Sequence, residues 1–345
     1  MTSRTLVTAL LATLAIVAGV YLLFFLFVEL FVIGFSAALI AIALDAPTAL
    51  LQRSLRLPRA VALIIVVLAL LGFWTGLGAW VGPQVAEQFQ DLQDQMQLGL
   101  QNAQAWLRDN EPFRSLMRLV PSVEEVTPPI GELVQRTQVA VLSGFSAVAN
   151  LLITIFVGCF FAAGPRRYTE GALFLIPEAR RSGGRRVIGA IARALRWWLV
   201  ARILLMLFIG VLFGIGLWLL DVPLKLPLAV LAGLLSFIPY VGPVLAYVPI
   251  VLVSLLVGPK MALYASILYI GIQLVESYLA EPLIEARTVS LPPALIILAQ
   301  VVSVIWLGFI GVLLATPLLL TLVVGVQLLY VRRVLHEDVQ VAGQR

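Results

Sequence analysis

Apolar residues in this chain fall into long blocks separated by short polar stretches, and the block lengths match a bilayer better than a protein core. A helix crosses about 30 Å of hydrocarbon with roughly 20 apolar residues. By that measure the runs Leu57–Val81, Val139–Ala163, Ile203–Leu220, Leu226–Val257 and Met261–Leu279 each predict one span. The run Leu6–Leu44 is too long for one crossing, and its only interior acid, Glu29, lies near the middle. A hairpin turn there would let Glu29 reach the headgroups, so two spans are expected. The run Leu291–Tyr330 is long enough for a broken or re-entrant piece followed by a crossing. The expected fold is therefore all-α: a polytopic integral membrane protein of about eight transmembrane helices, with broken or re-entrant helices in its C-terminal half.

Composition narrows the class further. Hydrophobic residues make up 61% of the 345 and charged residues only 12%, with a mean hydropathy of +1.06. A water-soluble fold could not bury that much apolar side chain, whereas lipid solvates it freely. The net charge of +5 comes almost wholly from arginine, Lys225 and Lys260 being the only lysines. It reads as an orientation signal, and no nucleic-acid module is present to claim it. Cys159 is the single cysteine, so no internal disulfide is expected. The first apolar run shows no small-residue cleavage site and is taken as a span rather than a signal peptide.

Arginine placement sets the expected topology, since short cytoplasmic loops collect basic residues. The segment 165–202 carries nine arginines from Arg166 to Arg202 against Glu170 and Glu178. Arg4, the loop with Arg53, Arg56 and Arg59, and the tail with Arg332 and Arg333 are basic too, and even numbers of crossings separate them. Both termini are thus expected in the cytoplasm of a bacterial inner membrane, with Gly82–Gln138 outside. The chain divides into three spans (1–82), an extracytoplasmic polar segment (83–137), a fourth span (138–164), a basic cytoplasmic segment (165–202), and a core of four spans with a tail (203–345).

Two polar segments read as helices. In the outer one, Phe89, Leu92, Met96, Leu100, Ala103 and Leu107 recur at three- and four-residue steps, a stripe that would pack on neighbours or the membrane surface, or gate a vestibule. In the inner one, a helix is expected from about Gly184 to Leu199, with Trp197 and Trp198 at the lipid interface and its arginines on lipid headgroups.

Chemistry-bearing residues are few. His336 is the only histidine, so no histidine metal site or triad can form, no cofactor is expected, and nothing supports an enzyme. The most informative stretch is Ser236-Phe-Ile-Pro-Tyr-Val-Gly-Pro243, where Pro239, Gly242 and Pro243 interrupt a helix at membrane depth beside Tyr240. Each proline removes a backbone donor and frees a carbonyl. Such breaks in transporters commonly mark a binding site, the alternative being a kink used only for packing. In the last run, Pro292 opens a helix and Gly308, Gly311 and Pro317 bend and pack it. Between the two lies the end of the seventh span. Gln273 and Glu276, three residues apart, share a helix face there, and Glu281 and Glu285 follow. An intramembrane acid is a candidate proton carrier or cation ligand. Glu276 is the first candidate for ion coupling; Glu285 with Arg287 reads equally as a loop ion pair.

In these residues the chain resembles the autoinducer-2 exporter family, also described as PerM-like permeases. The resemblance runs over nearly the whole chain. It is strongest at Gly210–Leu220, at Phe237–Pro243 with Pro249, at Gln273 and Glu276 with Pro282, and at Leu291-Pro292 with Gly308, Gly311 and Pro317. The Val304-Ile305-Trp306 stretch departs from the Gly-Gly pair of many relatives. The resemblance implies transport, either export of a small polar metabolite such as autoinducer-2 or exchange of sodium or lithium for protons, and assembly as a homo-oligomer such as a pentamer. A non-transporting membrane scaffold is the remaining alternative.

Overall fold

A computed structural model describes residues 3–73, 75–76, 79, 98, 101, 149–284 and 291–331. The outer polar segment and Glu285 lie outside these residues, apart from isolated positions. All regular elements among the described residues are helices: α1 (Ser3–Leu55), α2 (Arg59–Phe73), α3 (Ala149–Ala163), α4 (Pro165–Phe174), α5 (Glu178–Leu219), α6 (Lys225–Leu235), α7 (Val241–Val257), α8 (Pro259–Val275), α9 (Glu281–Ile284) and α10 (Pro293–Val326). Short π-helical turns, Glu276–Ala280 and Gln327–Val331, follow α8 and α10. The chain is thus an all-α membrane protein. Four helical stretches among the described residues are long and apolar enough to cross a bilayer, and a bent pair, α3 with α4, makes a fifth. Among the described residues the expected pair in Leu6–Leu44 forms one continuous helix and Leu226–Val257 forms two short ones, while the expected third and fourth spans extend outside these residues.

Two compact units emerge, one of 1–66 with 140–170 and one of 67–139 with 171–345. In the first, the expected hairpin at Glu29 is absent. The helix runs unbroken through it, because no proline or glycine interrupts Phe27–Val32 and the carboxylate has a polar partner: Asn150 Nδ2 donates to Glu29 Oε1 at 3.3 Å. Arg59 fastens this unit together. Its guanidinium pairs with Asp45 at 2.6 Å and donates twice to the Ala162 carbonyl, at 3.0 and 2.8 Å. That arginine, expected in a plain basic loop, is therefore a cross-link between α1, α2 and α3. At the end of α3, Gly164-Pro165 turns the chain by 91° into α4, since proline cannot donate back into the preceding turn.

In the second unit, α5 is one helix of 42 residues, roughly 63 Å long. The basic segment and the fifth span, expected as separate pieces, are continuous. Trp198 is buried at 4% exposure, edge-on to Phe237 at 5.6 Å, instead of facing the lipid interface. Ile209, Phe213 and Leu217 repeat every fourth residue along α5 and meet Leu228, Ala229 and Ala232 of α6, Ala246, Ile250 and Val253 of α7, and Ala265 and Ile272 of α8. Close approach is made possible by glycine: a Cβ on Gly233 would sit 2.9 Å from the Met206 carbonyl oxygen and 3.0 Å from Gly210 Cα.

The expected sixth span, Leu226–Val257, is two helices of 11 and 17 residues. The chain folds back between them so tightly that a Cβ on Gly242 would overlap the Leu235 carbonyl. The last run behaves alike. At Gly308 the backbone leaves helical geometry (φ 61°, ψ −146°), and a Cβ on Gly311 would overlap the Ser303 carbonyl. In a straight helix those two residues would be about 12 Å apart along the axis, so the chain turns back on itself at Gly308.

Candidate functional site

The turn joining α6 to α7 spans Ser236–Tyr240. Tyr240 adopts φ 64°, ψ −49°, a region that costs a non-glycine residue of order 1–3 kcal/mol and persists only where its surroundings enforce it. Pro239 sits in the turn itself, but Pro243 does not. It occupies the first turn of α7, where a missing N–H breaks no helical bond. The expectation that both prolines open the helix is thereby corrected: Pro239 belongs to the break and Pro243 to the start of the next helix.

The carbonyls at this turn are held by distant side chains. Pro239 O accepts from Val241 N at 2.7 Å and from Gln300 Nε2 at 2.9 Å. Pro243 O accepts from the Tyr269 hydroxyl at 2.7 Å. A second bond between α7 and α8 runs from Tyr247 OH to Ser266 Oγ at 3.1 Å, and the Tyr247 and Tyr269 rings lie 4.7 Å apart. The break is thus tied to α8 on one side and to α10 on the other.

Tyr269, Gln273 and Glu276 follow at intervals of four and three, so one polar stripe leads down α8 from the Pro243 carbonyl. Gln273 Nε2 donates to Glu276 Oε2 at 3.0 Å, and Glu276 is buried at 4% exposure. Glu276 also opens the π-helical turn, in which the Glu281 N–H returns to the Glu276 carbonyl five residues earlier. Pro282, lacking a donor, is separated from that turn by one residue, Glu281, and single π-turns of this kind are frequent at functional sites. The turn presents Glu281 to Arg202 of α5 at 3.9 Å, the arginine side chain being almost fully buried. Of the three acids singled out from sequence, Glu276 has a neutral amide partner, Glu281 faces a fixed positive charge, and Glu285 lies outside the described residues.

Pro292 caps α10 with extended backbone, Gly308 and Gly311 make the bend, and Pro317 lies buried within the second arm. Three residues that sequence reasoning passed over complete the arrangement: Gln300, Tyr269 and Arg202. Gln300 had a signal, being the only amide or charged side chain between Pro293 and Val326. Arg202 was hidden at the end of a basic segment, and Tyr269 in an apolar helix where only folding reveals its partner.

Two broken helices tied through a buried amide, in a chain that also buries the acid Glu276, define a polytopic α-helical membrane protein of the kind that handles solutes. The chain belongs to the AI-2E transporter family, whose sequence profile, described as AI-2E family transporter, it matches over residues 10–330. It is similar to YueF of Bacillus subtilis, 23% identical over 76% of this chain and 74% of the relative. MT0215 of Mycobacterium tuberculosis is 28% identical over 84% and 80%, and YhhT of Escherichia coli K12 is 25% identical over 78% and 75%. All three carry provisional names as transport proteins.

Proposed function

We propose that the protein carries a small polar solute outward across the bacterial inner membrane, both termini lying in the cytoplasm. The path follows Pro239, Tyr240 and Gly242 at the α6–α7 turn, then Pro243, Gln273 and Glu276. The observation that carries this reading is the hydrogen bond from Gln300 to the Pro239 carbonyl, which ties the bent α10 to the α6–α7 turn, from which a partly buried polar stripe leads down α8. Breaks covered by protein and lined by polar side chains are where transporters place their solute. Autoinducer-2, a small hydroxylated molecule, is the first cargo to try.

A second reading, sodium or lithium exchange for protons, is favoured by one feature: the acid of Glu276 is buried and has an uncharged amide beside it. Assembly of copies into a homo-oligomer accompanies either reading. The deciding experiment is reconstitution in liposomes, comparing release of trapped autoinducer-2 with sodium-dependent proton movement. Release without proton movement supports the exporter, and the converse supports the antiporter. A folded, oriented protein giving neither signal would leave a non-transporting scaffold.

A further inference from the structure

Six polar or charged side chains are buried among the described residues of the second unit: Arg202, Ser236, Ser254, Glu276, Gln300 and Thr316. Most have an evident partner. Ser236 and Ser254 give their hydroxyls to the carbonyls of Gly233 and Ile250, both at 2.7 Å. Glu276 accepts from Gln273, and Arg202 faces Glu281.

Gln300 and Thr316 differ. Each is 3% exposed, and Gln300 Oε1 and Thr316 Oγ1, like Trp198 Nε1 on α5, have no hydrogen-bond partner among the described residues. A hydroxyl on a helix ordinarily returns to the carbonyl one turn back, as Thr321 does to Pro317 at 2.8 Å; Thr316 does not. A buried polar atom left without a partner costs about 1–3 kcal/mol, which makes these two positions stand apart in a helix that is otherwise apolar. They lie eight residues before and eight residues after Gly308, one on each arm of the bent α10. Pro317, next to Thr316, cannot donate to the Leu313 carbonyl, so that arm holds a further acceptor without its helical donor.

The orientation of the Gln300 amide is decided by its neighbour. The Pro239 carbonyl can only accept, so the NH₂ group must face it, and Oε1 is left on the other side as an acceptor. We infer that Gln300 and Thr316 are solute contacts on the two arms of α10, and that they take an uncharged hydroxyl-bearing group in preference to a carboxylate. A solute hydroxyl can donate to Gln300 Oε1 and accept from Thr316, whereas a carboxylate has no proton for Gln300 and would be repelled by its oxygen. This rests on the transport reading for its place in a cycle, but not for the binding itself. Gln300 then does two things at once: its nitrogen holds the α6–α7 turn and its oxygen meets the solute.

The test uses the full chain in detergent, with the neutral tetrol erythritol and its carboxylate counterpart erythronate as probes. Erythritol is expected to raise the melting midpoint and erythronate is not. Thr316→Val, which removes a buried hydroxyl at nearly constant volume, is expected to melt no lower than wild type yet to need at least about tenfold more erythritol for the same shift; Gln300→Leu is expected to weaken binding likewise. The inference fails if wild type shows no erythritol shift, if erythronate shifts it equally, if both variants keep the full shift, or if Thr316→Val alone melts several degrees lower. Liposome flux is measured alongside. A wild type that shows the erythritol shift but moves no solute would sink the transport reading and leave the binding site standing.

Discussion

The side-chain amide of Gln300 donates to the main-chain carbonyl of Pro239 at 2.9 Å, across 61 residues of sequence. That one bond connects the bent last helix to the turn between α6 and α7. Removing it should loosen the fold modestly. Gln300→Leu is expected to cost about 1–2 kcal/mol, since Pro239 O retains Val241 N as a donor. Thermal denaturation in detergent, compared with wild type at equal protein concentration, reads that loss; an unchanged midpoint would mean the bond carries no net stability.

Gly242 should tolerate almost nothing larger than hydrogen. A Cβ there overlaps the Leu235 carbonyl, while one on Gly271 meets nothing within 4 Å. Gly242→Ala is expected to reduce folded protein sharply, by about 2–4 kcal/mol in stability, and Gly271→Ala to fold normally. Size-exclusion yield of the two variants after identical expression separates them. Equal yields would show that the α6–α7 turn relaxes easily.

The two prolines should behave differently. Pro239 lies in the turn, and Pro243 lies in the first turn of α7, so Pro239→Ala is expected to impair solute movement while Pro243→Ala remains close to wild type. Flux in liposomes, normalised to inserted protein, is the measurement. Equal impairment would show that Pro243 serves the path through its ring and not through its carbonyl, which alanine retains.

Glu276→Gln keeps the side chain's size and hydrogen bonding but removes its charge and its ability to titrate. An antiporter is expected to lose exchange and its pH dependence, with expression unchanged. An uncoupled exporter is expected to change rate by about tenfold or less. Proton-coupled exchange that survives at full rate would pass the coupling role to Glu281, whose neighbour Arg202 holds a fixed positive charge.

Topology is tested by thiol labelling after Cys159 is replaced by serine. A cysteine at the exposed Ser182 is expected to react only from the cytoplasmic side, and one at Asp109 only from outside. Labelling of Ser182→Cys from outside would invert the whole orientation.

The sequence by itself determined the solvent and the punctuation. Blocks of apolar residues of bilayer length fix a helical membrane protein, because lipid leaves the backbone no partner but itself. Proline and glycine at Pro239, Gly242, Pro292, Gly308 and Gly311 mark where helices must stop or turn, because their effects are local and need no partner to be legible. The acid Glu276 stood out for the same reason, as a charge where hydrocarbon penalises one. What the chain does between those marks needed tertiary structure. Local pattern placed a turn at Glu29, but Asn150, 121 residues away, gives that acid a polar partner inside a continuous helix. Pattern sent Trp198 to the lipid, but it packs on Phe237. Gln300, Tyr269 and Arg202 look ordinary in sequence because their roles lie in groups they meet only after folding, and a hydrogen bond between residues 61 apart has no periodicity to betray it.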